Sequence, residues 1–199
     1  MGLLNKNKKP VLKKNIPING VIFNELINRG YSVEGKTRVW EISDSKLWYL
    51  TDEQAQAFID MERDDKLQNL LVKKELDLIK ENFEDIVQEF KGKFTNIIDL
   101  GCGNGEKALS FISHFRNKKK IRYCPIDVSN FMIEETLDSV YQKFSSKGLD
   151  VKWNISDFHN LENISSLLRK GKFSNNFFLL LGGTIENTEV HELLYNIRA

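Results

Sequence analysis

Two kinds of hydrophobic spacing divide the chain. Between Thr51 and Phe90, apolar residues recur every three or four positions, which predicts helices that each bury one stripe. Thr51 and Gln54 have the spacing of a capping box, so one helix is expected to begin there. A second helix is expected through Phe90, and Gly92 supplies the glycine that often follows a helix end.

After Gly92 the spacing changes, and short apolar runs alternate with amphipathic stretches. The predicted strands are residues 96–100, 121–128, 151–154 and 177–181, and the predicted helices are 106–115, 131–144, 161–169 and 189–197. Strands that alternate with helices indicate right-handed βαβ units and a parallel sheet with helices on both faces. The run FFLLL at 177–181 lacks polar alternation, as expected for a strand covered on both sides.

Three segments are therefore expected along the chain. Residues 1–20 form a basic, flexible arm, since five lysines fall within the first 14 residues. Residues 21–92 form a mainly helical element that contributes to a substrate site. Residues 93–199 form a Rossmann-like nucleotide-binding domain. No aromatic residue interleaves the lysines of the arm, which argues against a nucleic-acid tail.

Composition excludes several classes of function. The net charge is +1, which gives no bulk reason for binding nucleic acid. The longest apolar run is too short to span a membrane, and the N-terminus lacks the apolar core of a signal peptide, so a cytoplasmic protein is expected. Cys102 and Cys124 have neither metal-ligand nor disulfide spacing, and no metal site is expected. The three histidines, His114, His159 and His191, are expected at the surface or at helix ends.

A glycine-rich turn follows the first strand of the predicted sheet. Residues 97–107 read IIDLGCGNGEK, with glycines at 101, 103 and 105. The spacing G-x-G-x-G after Asp99 matches neither the dinucleotide fingerprint nor a P-loop. An acid at this strand tip would repel a pyrophosphate, but it suits the cationic amino-acid portion of S-adenosylmethionine.

The next two strand tips also carry candidate ligands. Asp127 follows Gly105 by 22 residues and can accept from both ribose hydroxyls. Asp157 and Phe158 follow the third strand and could offer an acceptor and an apolar face to adenine. Each feature alone has a plain structural interpretation, such as a tight turn over Gly101–Gly105 or a helix cap at Asp127. Three such features at successive strand tips favour a class I methyltransferase that uses S-adenosylmethionine.

Four motifs carry a more specific resemblance. They are the Glu106-Lys107 that ends the glycine turn, YCPIDVS at 123–129, LGGTIEN at 181–187 and WYLTDEQ at 48–54. In the order in which they occur along the chain, they resemble the histidine-specific methyltransferase family over roughly residues 45–199. Members of that family make the trimethylated histidine that precedes ergothioneine in its biosynthesis, and a sister branch methylates dimethylallyltryptophan.

The resemblance implies roles for individual residues. Gly101 and Lys107 would contact the methionine portion of the cofactor. Gly103 and Gly105 lie in the same turn, and the placement of Asp99, apart from the resemblance, predicts that it offsets the positive charge of the cofactor. Asp127 would bind the ribose, and Asp157 and Phe158 the adenine. Tyr49, Gly183, Thr184 and Asn187 would belong to the amino-acid site. Structural alternatives stay open, since Lys107 could be solvated, Tyr49 could be packing and Asn187 could cap the last helix. No catalytic base is assigned.

The resemblance also implies a longer C-terminal part, because family members continue beyond the fourth strand. The sheet is therefore expected to be truncated after that strand, with an edge that a second chain, like or unlike, could cover. Three functions remain open. They are an N-methyltransferase for the α-amine of a histidine-like amino acid, a methyltransferase for another small molecule or a protein, and a cofactor-binding module that needs a partner chain.

Overall fold

The computed structural model describes residues 18–40, 45–49, 51–90, 93–115, 120–144 and 148–198. Most of the expected basic arm lies outside these residues. The chain divides into two compact units, Met1–Ile42 and Ser43–Ala199. The described part of the first unit consists of helix α1 (Ile18–Arg29) and a hairpin of strands β1 (Ser32–Glu34) and β2 (Thr37–Val39), which pair antiparallel.

The second unit holds the predicted sheet and its helices. Before the sheet come a 3₁₀ turn at Ser45–Trp48, α2 (Asp52–Glu62), α3 (Asp65–Leu67), a π-helical turn at Gln68–Val72, α4 (Lys73–Glu81) and α5 (Phe83–Gln88). The alternating part comprises β3 (Phe94–Leu100), α6 (Glu106–Phe115), β4 (Lys120–Asp127), α7 (Asn130–Phe144), β5 (Asp150–Val151), β6 (Asn154–Ile155), α8 (Leu161–Leu168), β7 (Asn175–Leu179) and α9 (Val190–Arg198). Short 3₁₀ turns at Phe158–Asn160 and Gly182–Asn187 precede α8 and α9.

All strands of this sheet run parallel, which confirms the predicted α/β class. β3 lies between β4 and β7, and β5 and β6 both pair with the far side of β4 as one interrupted edge strand. β3 pairs with β4 along its whole length, from Phe94 opposite Lys120 to Leu100 opposite Ile126. The carboxyl ends of β3, β4, β6 and β7 therefore lie at one edge of the sheet, the usual ligand edge in such folds.

Both faces of the sheet are covered, and successive residues of each strand face opposite cores. Ile97 belongs to one buried cluster and its neighbour Ile98 to the other. The first cluster joins the sheet to α5, α6 and α7, through residues such as Phe111 and Phe115. The second joins it to α8 and α9, through residues such as Leu161. Since both faces are buried, the strands need no polar alternation, as FFLLL predicted.

The helices before the sheet begin as expected but do not continue as one. Thr51 caps α2 in a complete capping box with Gln54, in which each side chain accepts from the other's backbone N–H at 3.2 Å. The predicted second helix is interrupted by the π turn and again at Asn82. The Asn82 amide donates to the Leu78 carbonyl at 2.8 Å, and its backbone leaves the helical region. The glycine stop at Gly92 lies outside the described residues.

Two of the predicted strands differ most from the structure. The expected strand at 151–154 is split into β5 and β6. The expected strand at 177–181 is displaced toward the N-terminus, because Asn175 and Asn176 pair with β3 in place of Leu180 and Leu181. The buried Asn96 amide donates to Asn176 Oδ1 at 2.8 Å, which satisfies polar groups that the apolar pattern could not anticipate. Among the helices of the described residues, none has the length and apolar character needed to span a bilayer.

Candidate functional site

The turn between β3 and α6 brings the backbone of two strand tips close together. The N–H groups of Gly101 and Cys102 both donate to the Ile126 carbonyl, at 2.9 and 3.3 Å. Gly101 has a φ of 67°, a region that L side chains disfavour. A Cβ at Gly101 would lie 2.7 Å from Thr184 Oγ1. The predicted substrate residue Thr184 therefore lies directly beside the predicted cofactor turn.

Asp127 ends β4 and is fixed by the same turn. Its carboxylate accepts from the Ser129 N–H at 2.9 Å and from the Gly103 N–H at 3.3 Å. Burial raises the pKa of Asp127 to about 6, although backbone donors from Ser129, Gly103 and Val128 act in the lowering direction. Ionisation of this nearly buried carboxyl group is thus costly in the free protein. Such perturbed pKa values are common at ligand-binding sites.

Asp99, the acid in front of the glycine turn, is paired with a residue that the sequence did not single out. The Tyr123 hydroxyl on the neighbouring strand donates to Asp99 Oδ2 at 2.6 Å. Burial raises the pKa of Asp99 to about 7, the hydrogen bond from Tyr123 lowers it, Asp127 raises it and Lys107 lowers it. The carboxyl group therefore carries a proton for part of the time near neutral pH.

Lys107, in the first turn of α6, lies between two glutamates. Its Nζ is 3.4 Å from Glu62 Oε1 at the end of α2 and 3.2 Å from Glu75 Oε2 on α4. The other oxygen of Glu75 accepts from the Gly182 N–H at 2.6 Å. Lys107 is 16% exposed, so the alternative of a solvated surface lysine is wrong for this structure.

Tyr49 packs edge-on against Phe58, with ring centroids 5.6 Å apart. Burial, followed by the carboxylates of Asp127 and Glu62, raises the pKa of Tyr49 to about 12. Its hydroxyl therefore keeps its proton at neutral pH and can act as a hydrogen-bond donor.

These groups surround one cavity of about 830 Å³. Ten of the predicted site residues line it: Tyr49, Asp99, Gly101, Gly103, Lys107, Asp127, Asp157, Phe158, Gly183 and Thr184. Gly105 does not line it. It is packed against α7, where a Cβ would lie 3.0 Å from Thr136 Cγ2. The side chain of Asn187 lies outside the described residues.

The cavity carries a strong excess of negative charge. Eight carboxylate residues line it: Glu62, Glu75, Asp99, Asp127, Asp157, Glu186, Glu189 and Glu192. Lys107 is the sole basic residue among the described residues of the lining, and two of those carboxylates already pair with it. Such a cavity favours a ligand with net positive charge. In the described part of the chain, no cluster of three or more histidine, cysteine or acidic side chains could hold a metal ion.

Glu62, Glu75 and Tyr123 are site residues that the sequence did not reveal. Lysine in the first turn of a helix is disfavoured by the helix dipole, so Lys107 could have signalled a need for acidic partners. The partners themselves lie 45 and 32 positions away in the sequence, on helices whose packing no periodicity specifies.

Comparison with known proteins identifies the family. The model of the histidine-specific, S-adenosylmethionine-dependent methyltransferases matches residues 68–198, about two thirds of the chain. No curated protein matches the sequence.

Two similar solved structures are described as methyltransferases. An S-adenosyl-L-methionine-dependent methyltransferase from Methanococcus maripaludis is 14% identical, with a TM-score of 0.46 over 82% of this chain and 61% of that one. Magnesium protoporphyrin IX methyltransferase from Synechocystis PCC 6803, with S-adenosylmethionine bound, is 14% identical, with a TM-score of 0.42 over 74% of this chain and 69% of that one. The chain thus spans less than two thirds of the length of the first of these. By its match to the family model, the chain belongs to the histidine-specific, S-adenosylmethionine-dependent methyltransferase family.

Proposed function

We propose that the chain transfers methyl groups from S-adenosylmethionine to the α-amine of an amino acid, with a histidine-like acceptor favoured. The observation that carries this proposal is the family match over residues 68–198, because that stretch supplies most of the lining of the acidic cavity. The same match supports a place in ergothioneine biosynthesis, which stays part of the proposal.

The cavity fits the cofactor of the family. Its volume of about 830 Å³ lies within the range of about 300–1,000 Å³ that is usual for ligand pockets. The turn at Gly101 leaves backbone accessible to a ligand only because the residue has no side chain, since a Cβ there would overlap Thr184. The surplus of carboxylates complements a ligand that carries both a sulfonium and an ammonium group. When bound, S-adenosylmethionine supplies an electrophilic methyl group.

On this proposal each strand tip holds one part of the cofactor. Asp127, whose carboxylate is oriented by two backbone donors, accepts from the ribose hydroxyls. Asp157 and Phe158 bind the adenine, the first as acceptor and the second as an apolar face. The turn that contains Gly101, Gly103 and Gly105, together with Asp99 and Lys107, holds the methionine portion.

The acceptor is proposed to bind between Tyr49 and the turn after β7. Tyr49 keeps its proton and can donate to a carboxylate while its ring covers it. Gly183 and Thr184 line the same cavity, and a Cβ at Gly101 would lie 2.7 Å from Thr184 Oγ1, which supports an acceptor site beside the cofactor turn. The Asn187 amide is proposed to orient the amine without adding charge.

For methyl transfer, the protein mainly has to position the acceptor amine against the methyl group and exclude water. An amine held at about 3–3.5 Å and in line with the departing group gains most of the rate from proximity and orientation. The acceptor must present a neutral amine, and its proton leaves to water before or during binding. No residue is assigned as a general base.

Incubation with methyl-labelled S-adenosylmethionine and a panel of amino acids tests the proposal. The expected result is transfer to histidine above transfer to other acceptors, with the label on the α-nitrogen. Transfer to tryptophan derivatives in place of histidine would indicate the specificity of the sister branch. Transfer only to another amine or to protein would refute the amino-acid acceptor. Cofactor binding without any acceptor would favour a module that needs a partner chain.

The ribose assignment has its own test. Asp127→Ala is expected to weaken S-adenosylhomocysteine binding by at least about tenfold, because hydrogen bonds to charged groups contribute about 1.5–3 kcal/mol. Isothermal titration calorimetry measures the change, and Asp138→Ala, an exposed acid on α7, is the control. Equal affinity in the two variants would show that the ribose assignment is wrong.

A further inference from the structure

The single carboxylate of Glu75 joins two parts of the cavity wall. Its Oε2 lies 3.2 Å from Lys107 Nζ, and its Oε1 accepts from the Gly182 N–H at 2.6 Å. Lys107 begins α6, whereas Gly182 follows β7, so the two groups belong to different strand tips of the sheet. Glu75 itself lies on α4, before the sheet begins.

Lys107 would be poorly placed without such a partner. The N-terminal end of a helix carries partial positive charge, which disfavours a lysine in the first turn. Lys107 is 16% exposed, so water screens this repulsion less than on an open surface. Glu62 provides a second pair at 3.4 Å, but it contacts no backbone group of the turn after β7 in any bond that the structure describes.

The local structure before α4 directs this part of the chain toward the cavity. Hydrogen bonds in the π turn at Gln68–Val72 run from residue i to i+5. Residues five apart, such as Leu67 and Val72, thereby come to one side, and both line the cavity together with Glu75. An uninterrupted α-helix would turn Leu67 and Val72 well away from each other. Single π turns within helices often occur at functional sites.

The space around Gly182 shows how closely the lysine and the turn approach. Gly182 has a φ of 66°, and a Cβ there would lie 2.6 Å from Lys107 Nζ. Lys107 Nζ therefore lies close to the backbone of Gly182, and the two oxygens of Glu75 contact one of these groups each.

We propose that Glu75 is a positioning residue for the cofactor, which fixes the Lys107 ammonium and the Gly182 turn relative to each other at the methionine end of the cavity. The inference rests on the proposed placement of the methionine portion beside Lys107. Glu75 acts through these two groups, and nothing requires it to touch the acceptor.

Two substitutions separate the functions of the two oxygens. Glu75→Gln keeps an acceptor for the Gly182 N–H but removes the charge that faces Lys107, whereas Glu75→Ala removes both. We expect the dissociation constant of S-adenosylhomocysteine, measured by titration calorimetry, to rise about fivefold in the first and about tenfold or more in the second. Asp77→Asn is the matched control, because this acid on the same helix pairs with Lys80 at the exposed surface. It is expected to change the constant less than about twofold.

Thermal unfolding of the free protein distinguishes positioning from general stability. The proposal expects Glu75→Gln to weaken binding at temperatures where the variant is still fully folded, even though the loss of one charged partner of Lys107 lowers its unfolding midpoint below that of Asp77→Asn. A lowered midpoint with unchanged affinity would overturn the proposal in favour of a purely structural contact. Tighter binding in Glu75→Gln would also overturn it, because Glu75 would then compete with the cofactor for Lys107.

A double-mutant cycle links the effect to the lysine. In a Lys107→Met background, Glu75→Gln is expected to change the dissociation constant by less than about twofold. An undiminished effect in that background would refute action through Lys107. These measurements use no methyl acceptor, so a wrong acceptor assignment leaves them unaffected. Failure of the unmodified protein to bind S-adenosylhomocysteine would overturn the cofactor site itself.

Discussion

Replacement of Gly101 by alanine tests the close approach of the two strand tips. The new Cβ would lie 2.7 Å from Oγ1 and 2.8 Å from Cγ2 of Thr184, distances that require some atom to move. Thr184 is β-branched and its hydroxyl donates to the Leu181 carbonyl at 3.2 Å, so its side chain has little freedom to turn away. The substitution also puts a side chain on a residue with a φ of 67°.

The expected loss in free energy of unfolding has two parts. The left-handed backbone costs about 1–2 kcal/mol for a residue with a Cβ. The overlap with Thr184 adds about 1–3 kcal/mol, as for overpacked interior positions. Gly103→Ala provides the matched control, because Gly103 also has positive φ, at 54°, but a Cβ there would meet nothing within 4 Å. Gly101→Ala should therefore be the less stable variant by about 1–3 kcal/mol.

Urea unfolding of four variants isolates the contact. They are Gly101→Ala, Gly103→Ala, Thr184→Ala and the double variant Gly101→Ala/Thr184→Ala. Alanine at 184 removes the Oγ1 and Cγ2 atoms and leaves only Cβ, at 3.4 Å from the new methyl group. The double variant is expected to recover most of the stability that the overlap removes, which appears as a coupling energy of about 1 kcal/mol or more. Equal losses at Gly101 and Gly103 with no coupling to Thr184 would refute the close approach.

Two further predictions concern the helix cap and the buried acid. Thr51→Ala removes the capping box of α2 and is expected to lower the free energy of unfolding by about 1 kcal/mol, or the midpoint by about 2–4 °C, in a thermal scan. An unchanged midpoint would mean that the cap contributes nothing. Asp99 has its pKa raised to about 7, so the folded state holds the proton more tightly than the unfolded state and loses stability as pH rises from about 4 to about 7. Between pH 5.5 and 8, the free energy of unfolding of Asp99→Asn, measured with urea, should therefore rise by about 2 kcal/mol relative to that of the unmodified free protein. Parallel curves of this free energy against pH for the two proteins would contradict the prediction.

The strand tips could be read from the sequence because each element there is specified by nearby residues. The bounds of α6 follow from the glycine turn and its apolar spacing, and the structure agrees at both Glu106 and Phe115. The capping box at Thr51 is likewise a local pattern over four residues. Asp99, Asp127 and Asp157 line one cavity because parallel strands place their carboxyl ends at one edge.

The remaining features depend on distant partners, and local patterns could not supply them. β7 begins at Asn175 because that strand pairs with β3 through polar residues, and the Asn176 amide reaches Ser165 Oγ at 2.7 Å. Hydrophobic spacing favoured Leu180 and Leu181 instead, which lead into the turn that Glu75 holds. The π turn likewise interrupts an apolar stripe that reads as continuous, since helix type depends on packing as well as on spacing.

The charge of the cavity explains why the acid before the glycine turn matters. Burial raises the pKa of both Asp99 and Asp127, and the charge of Asp127 raises the pKa of Asp99 further, so the free site is costly when both carboxylates are ionised. A cation that enters the cavity would favour the ionised forms, lower both pKa values and release protons on binding. An anion such as a pyrophosphate would meet eight carboxylates and a lysine already paired with two of them. On the proposed function, the sheet edge that binds dinucleotides in other proteins is lined here by carboxylates that suit a cofactor with a sulfonium.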